Sequence, residues 1–353
     1  MTKTAWPSYL PLAQSGELAR RAQAAREMLR ACSICPRACG VDRLAGERGV
    51  CRQGAAPVVA SWNRHRWEEP PISGTRGSGT IFFSGCVGRC LFCQNWPISQ
   101  LGHGQEVSET RLAEMMLELQ GQGAHNINLV TATHFVPAVL AALDVAAREG
   151  LRLPLVYNCG GYERVETLRL LDGVVDVYLP DAKYADDAVA RRLSGFPDYV
   201  AVNRAALREM HRQAGDELTL DEDGLARRGL IVRHLVLPGG LAGTAEVLRW
   251  IAGELSPRVP VSLMAQYFPA YRALDDQPED PALGRPITPD EYQAALEAFD
   301  AAGLERGWRQ EYDGDPDSLF GFEVKYPSCR AKTGETRGEL FTSASKCDIV
   351  CVN

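Results

Sequence analysis

Cys86, Cys90 and Cys93 carry the strongest chemical signal in this chain. They lie in Ser84-Gly85-Cys86-Val87-Gly88-Arg89-Cys90-Leu91-Phe92-Cys93-Gln94-Asn95, with three residues between the first pair and two between the second. Three thiolates can hold three irons of a four-iron cluster and leave the fourth iron open. An open iron can bind and reduce a substrate or cofactor, whereas a fully ligated cluster mainly carries electrons. A zinc site or a set of buried thiols is the alternative. A second group, Cys32-Ser33-Ile34-Cys35-Pro36-Arg37-Ala38-Cys39 followed by Cys51, offers four more thiolates. Four can complete either tetrahedral zinc or a second iron–sulfur cluster, with unmetallated thiols as the third option. That segment is too polar to fold around a core of its own, so a metal staple is physically reasonable. Cys159 stands alone, as a hydrogen donor, a substrate contact or a buried inert thiol. Cys329, Cys347 and Cys351 fall in a polar C-terminal stretch and are a weak metal signal.

Positioning these groups requires strands and loops. The apolar run Thr80-Ile81-Phe82-Phe83 reads as a buried strand that delivers the cysteine triad at its end. Helical spacing predicts helices over 17–31, over 108–120 through Leu112, Met115, Met116 and Leu119, and over the Val136–Leu143 region. Strands are predicted at Asn126–Thr131, Leu153–Asn158, Val174–Leu179, Tyr199–Asn203, Leu230–Leu237 and Val261–Tyr267. Thr288-Pro289-Asp290-Glu291 is a helix start with a capping box, and that last helix ends near Gly303. Strands alternating with helices predict a mainly parallel α/β sheet, whose active sites lie at the carboxyl ends of the strands. Three parts are expected: an N-terminal helix and cysteine-rich segment over 1–75, the main α/β unit over 76–310, and a C-terminal extension over 311–353.

Composition narrows the class. The chain has 353 residues, 45% hydrophobic and 24% charged, which suits one large globular unit with additions. A formal net charge of −7 without a long basic run gives no support for nucleic acid or an anionic membrane as partner. Met1 to Gly16 lacks a continuous apolar signal core, so a cytoplasmic location is the expectation. The 11 cysteines are odd in number and clustered, which points to metal rather than disulfides.

The triad, its strand and its spacing resemble the radical S-adenosylmethionine (SAM) superfamily, and the chain is most similar to its pyruvate formate-lyase activating enzyme-like branch. Within that branch it resembles an uncharacterised group with an N-terminal cysteine-rich segment. The similarity covers roughly residues 30–310. Tyr178-Leu179-Pro180-Asp181-Ala182-Lys183 resembles the family strand that ends in Asp-x-Lys. Val200-Ala201-Val202-Asn203 resembles a strand whose terminal Asn contacts SAM, and Val232-Arg233-His234-Leu235 one that lines the adenosine and methionine ends. Leu263-Met264-Ala265-Gln266-Tyr267 resembles the last barrel strand. Where many members have Gly-Gly-Glu, this chain has Thr131-Ala132-Thr133-His134, so hydroxyls and a backbone carbonyl would stand in for that contact.

The resemblance implies a partial (β/α)6 TIM-like barrel holding a 4Fe-4S cluster on the triad. It implies SAM contacts from Thr133, Asn158, Asp181, Lys183, Asn203, Arg233 and His234; Cys159 and His134, each at a predicted strand end, are the catalytic candidates read from the residues themselves. Arg233 is the expected bidentate partner of the SAM carboxylate. Such an enzyme cleaves SAM reductively to a 5′-deoxyadenosyl radical and abstracts hydrogen from its substrate, drawing electrons from a reductant such as flavodoxin or ferredoxin. The substrate can be a glycyl radical enzyme that it activates, or a peptide or small metabolite. A non-catalytic metal-binding scaffold is the reading from another class. Extra cysteines that precede the triad, rather than follow it, count against the activating role.

Overall fold

The computed structural model describes residues 6–275 and 279–312, together with the backbone of 322–324. The C-terminal cysteines Cys329, Cys347 and Cys351 lie outside the described residues, as does most of the predicted extension. The fold is a mixed α/β structure around mostly parallel strands. In chain order these are β1 (Val58–His65), β2 (Ser78–Phe83), β3 (Gln105–Glu106), β4 (Ile127–Val130), β5 (Leu155–Cys159), β6 (Val177–Pro180), β7 (Thr219–Leu220), β8 (Ala226–Leu230), β9 (Val232–Leu235), β10 (Val261–Met264), β11 (Gly307–Gln310) and β12 (Phe322–Val324). One sheet runs β3-β1-β2-β4-β5-β6-β8-β7, and a second runs β12-β11-β10-β9. Strands β2, β4, β5, β6 and β8 pair in parallel, as do β9, β10 and β11. A parallel bridge between Asp181 and Arg233 links β6 to β9.

The apolar run expected over Leu230–Leu237 is therefore two strands. Tyr178 pairs with Leu230, Val261 pairs with Val232, and the chain passes from one sheet to the other at Ile231. A continuous buried run cannot reveal such a switch, because Leu230 to His234 are all buried on both sides of the crossing.

Alternate strand residues face opposite sides. Ile81, Leu129, Tyr157 and Tyr178 share the main core with the flanking helices. Val156, Val177, Leu179 and Ile231 form a separate cluster on the other face, with Ile72 and Trp308. The helix Glu17–Glu27 turns Leu18, Ala22 and Ala25 into the main core. The helix Glu109–Gly121 does the same with Leu112, Met115, Met116 and Leu119. Both follow the predicted periodicity, as does the capping box at Thr288 and Glu291 on the helix Pro289–Ala301. The strand β1 was not expected. It pairs antiparallel with β2 and brings the N-terminal segment onto the sheet edge beside the triad strand.

One predicted strand is overturned. Tyr199–Asn203 is the first turn and a half of the helix Tyr199–Ala214. Its buried residues Tyr199, Asn203, Ala206, Leu207 and Met210 recur at helical spacing, so the period continues well past the short β-branched run that suggested a strand. No helix among the described residues is long and apolar enough to cross a membrane.

Candidate active site

The triad leaves β2 on a loop held by its own backbone. Arg89 N–H donates to Ser194 O at 2.8 Å, and Leu91 N–H to Leu193 O at 2.9 Å. Those carbonyls end the helix Asp187–Ser194, where the last turn has no intrahelical partners. Gly88 lies between the first two cysteines. A Cβ placed there would sit 2.7 Å from the Phe196 ring, a contact that real side chains avoid, so glycine is required for this approach.

Each triad sulfur meets a hydrogen-bonding group. Gly88 N–H donates to Cys86 Sγ at 3.3 Å, Ser194 Oγ–H to Cys90 Sγ at 3.0 Å, and Ser99 Oγ lies 3.1 Å from Cys93 Sγ. Burial pushes the Cys86 thiol up to about 11 and the Cys93 thiol up to about 12, with the nearby Cys90 adding to both. The bare Cys86 and Cys93 thiols stay protonated, so metal binding must displace their protons. The Asn95 Oδ1 atom, two residues past Cys93, is buried without a partner. Free thiols with donors aimed at sulfur fit an anionic iron–sulfur centre.

Asp181 and Lys183 stand next to this loop. They form an ion pair, and the Lys183 N–H donates to Tyr199 Oη at 2.8 Å. Burial works against the Lys183 charge, but Asp181 and the Cys90 sulfur outweigh it and hold the ammonium protonated. The pair lies just past the carboxyl end of β6, near enough to the triad for Cys90 to act on Lys183.

Arg233 is engaged differently from the expectation. Its Nε–H donates to Glu69 Oε1 at 2.8 Å, its Nη2 to Glu69 Oε2 at 2.9 Å, and Nη2 also pairs with Glu68. Glu68 accepts in turn from Asn128 Nδ2 at 2.9 Å. Asn158 sits at the rim of this group, with its Oδ1 3.4 Å from Arg233 Nη1. The planar fork of Arg233 is occupied by two carboxylates of the Trp67-Glu68-Glu69-Pro70 segment, and burial leaves its charge dependent on them. These glutamates were missed in the sequence. The signal was there, in adjacent acids at the mouth of an otherwise apolar Pro70-Pro71-Ile72 turn.

The remaining candidates lie away from that group. Asn203 is on a helix, and its Nδ2 ties Gly161 O and Asp181 O together, each at 2.9 Å. Thr133 Oγ1 donates to Glu163 Oε1 at 2.6 Å. Cys159 belongs to the main core on the Tyr157 face, beside Glu163, and its thiol is pushed well up by burial. His134 is fully buried. Its Nε2–H donates to Ser84 O at 2.8 Å, Nδ1 has no partner, and burial lowers its basicity to about 3. His234 donates from Nδ1 to Ala182 O at 2.6 Å and accepts from Thr244, and burial lowers it to about 4. Both imidazoles are neutral at physiological pH.

The N-terminal cysteines pack directly on the triad loop. Arg37 Nε donates to Val87 O at 2.9 Å, and Arg89 reaches from the loop to Val50 O. A cavity of about 360 Å³ runs between the two segments, lined by Cys51, Gln53, Gly85 and Ser99 among others. Cys32, Cys35 and Cys51 are buried, Cys39 is half-buried, and all four are free thiols. Val50 N–H donates to Cys39 Sγ at 3.4 Å, and a Cβ on Gly49 would stand 2.8 Å from that sulfur.

Residues 80–220 match the family described as the Radical SAM superfamily. The chain is also similar to an uncharacterized protein of Methanocaldococcus jannaschii, 30% identical over 291 residues that cover 81% of this chain and 79% of the relative.

Proposed function

The chain belongs to the radical SAM superfamily, and from that premise we propose that it abstracts hydrogen from a substrate by way of the Cys86–Cys90–Cys93 centre. The superfamily implies an enzyme with a 4Fe-4S cluster and SAM. When bound together, these two supply a one-electron reductive cleavage and, through it, a hydrogen-abstracting agent. Cys86, Cys90 and Cys93 are the residues that would hold the cluster. The Ser194 hydroxyl and the Gly88 N–H donate to the thiolates and stabilise their charge. Asp181 and Lys183 line the SAM side of the loop. On this reading β2, β4, β5, β6, β9 and β10 make up the partial barrel, and the triad and Asp181 follow the carboxyl ends of β2 and β6. Residues 76–310 are the catalytic unit, and residues 1–75 carry a second metal site on Cys32, Cys35, Cys39 and Cys51.

The observation that carries this reading is the triad loop itself: three free thiols at a strand end, each with a hydrogen-bonding partner, within the matched region. By its resemblance to the pyruvate formate-lyase activating enzyme-like branch, the first role is activation of a glycyl radical enzyme, with flavodoxin or ferredoxin as reductant. A second reading, modification of a peptide or small metabolite, is favoured by the N-terminal segment, which packs against the triad loop and narrows its surroundings. Deuterium transfer separates them. A glycine-deuterated partner protein that passes label into 5′-deoxyadenosine supports activation. Label passing only from free peptides or metabolites supports the second reading, and no label from either argues against hydrogen abstraction.

A further inference from the structure

Arg43 is a buried cation that pairs with no carboxylate among the described residues. Its residue is 1% exposed. Its Nε donates to Gly54 O at 3.1 Å and its Nη1 to His134 O at 2.8 Å. Its face lies over the Phe135 ring, 5.8 Å from the centroid. These partners are neutral. Among the described residues no carboxylate pairs with it, whereas Cys32 Sγ lies 3.9 Å from Nη1. An uncompensated buried charge costs several kcal/mol, roughly, so a counter-charge is expected at the side where no carboxylate stands. The Cys32 thiol stands at that side, and Cys51 is near enough to interact with the guanidinium.

The spacing of those thiols bears on what they bind. Zinc draws its thiolates to about 2.3 Å from one point. Among the described residues no three His, Cys, Asp or Glu side chains converge closely enough for a single ion. That holds for Cys32, Cys35, Cys39 and Cys51 and equally for the triad. An iron–sulfur cluster distributes its ligands over separate irons, and so suits thiols that are neighbours without meeting at one point. The chain also turns sharply beside two of these cysteines. Ala38 (φ 40°) and Arg52 (φ 61°) both take the left-handed conformation that non-glycine residues seldom adopt. Such strain persists where surrounding structure enforces it.

We infer that Cys32, Cys35, Cys39 and Cys51 hold an iron–sulfur cluster whose negative charge is offset by the buried guanidinium of Arg43. The inference rests on the reading of this segment as a second metal site. The cluster lies beside the triad loop, joined to it through Arg37–Val87 and Arg89–Val50.

Two measurements test the two parts separately. Protein purified anaerobically after cluster reconstitution is expected to carry about eight irons with matching sulfide, and the Cys86→Ala/Cys90→Ala/Cys93→Ala variant about four. Stoichiometric zinc at the N-terminal site, or only about four irons in the wild type, overturns the second cluster. Arg43→Met and Arg43→Lys are then compared in the wild-type background by iron content and by the midpoint potential of each cluster. The charge role predicts that Met lowers the potential of the second cluster or empties it, while Lys leaves it loaded with a potential near the wild type. Equal effects of the two substitutions, with iron otherwise intact in the wild type, overturn the role of Arg43 and leave the cluster standing.

Discussion

Arg233 donates its Nε–H to Glu69 Oε1 at 2.8 Å, with both side chains removed from water. The two residues are 164 positions apart, and Glu68 joins them from the next position. Removing one partner of a buried charge group leaves the others unpaired in a low dielectric, at a cost of about 3–5 kcal/mol. Arg233→Met is therefore expected to destabilise the protein by that order in urea unfolding. Adding Glu69→Gln to Arg233→Met removes one stranded carboxylate and is expected to recover part of the loss. Equal stability of the single and double variants would mean that the group is open to solvent.

The contrast between this group and the triad shows what the sequence reveals. The triad is a local pattern: one apolar strand, one loop and fixed spacings, all within Thr80–Cys93. Its placement at a strand end, and the parallel pairing around it, follow from hydrophobic periodicity. The Glu68–Glu69–Arg233 group depends on the chain crossing from one sheet to the other at Ile231, and no local pattern records that crossing. Asn203 was misplaced for a related reason. Val200-Ala201-Val202 has strand composition, and only the longer recurrence through Leu207 and Met210 shows the helix. The free thiol at Cys159 was visible as a residue, but its side of β5 was set by the strand register against β6.

Gly88 permits the close approach of the triad loop to Phe196. Gly88→Ala is expected to shift the loop and cost roughly 1–3 kcal/mol through overpacking. Iron content after reconstitution should fall, since the displacement lies between two ligands. Phe196→Leu in the same chain removes the ring atoms in conflict and is expected to restore iron. Full loading of Gly88→Ala alone would show that the loop tolerates the side chain.

Glu163 is a buried carboxyl that pairs with no cation among the described residues. Burial pushes it up to about 7, against hydrogen bonds from Thr133, Tyr157 and Cys159 that act in the opposite direction. The unfolded chain releases this proton near the ordinary glutamate value, whereas the folded protein keeps it until about 7. The group therefore costs stability progressively as pH rises between those values, by about 3 kcal/mol in all. Glu163→Gln should remove that dependence. Thermal unfolding at pH 5 and pH 8 is expected to show a gain for the variant at pH 8 and little change at pH 5. A variant less stable than the wild type at pH 8 would mean that the carboxylate is stabilised where it stands.

The central claim is that Cys86, Cys90 and Cys93 start the chemistry by holding a cluster that acts on SAM. The direct measurement is anaerobic incubation of the reconstituted, dithionite-reduced protein with SAM, followed by quantification of 5′-deoxyadenosine and methionine. The account predicts formation of both products by the wild type and their loss in Cys90→Ala, with brown iron–sulfur absorbance in the wild type alone or at greater intensity. A colourless, zinc-only protein after reconstitution, or a fully loaded protein that leaves SAM intact, would contradict it.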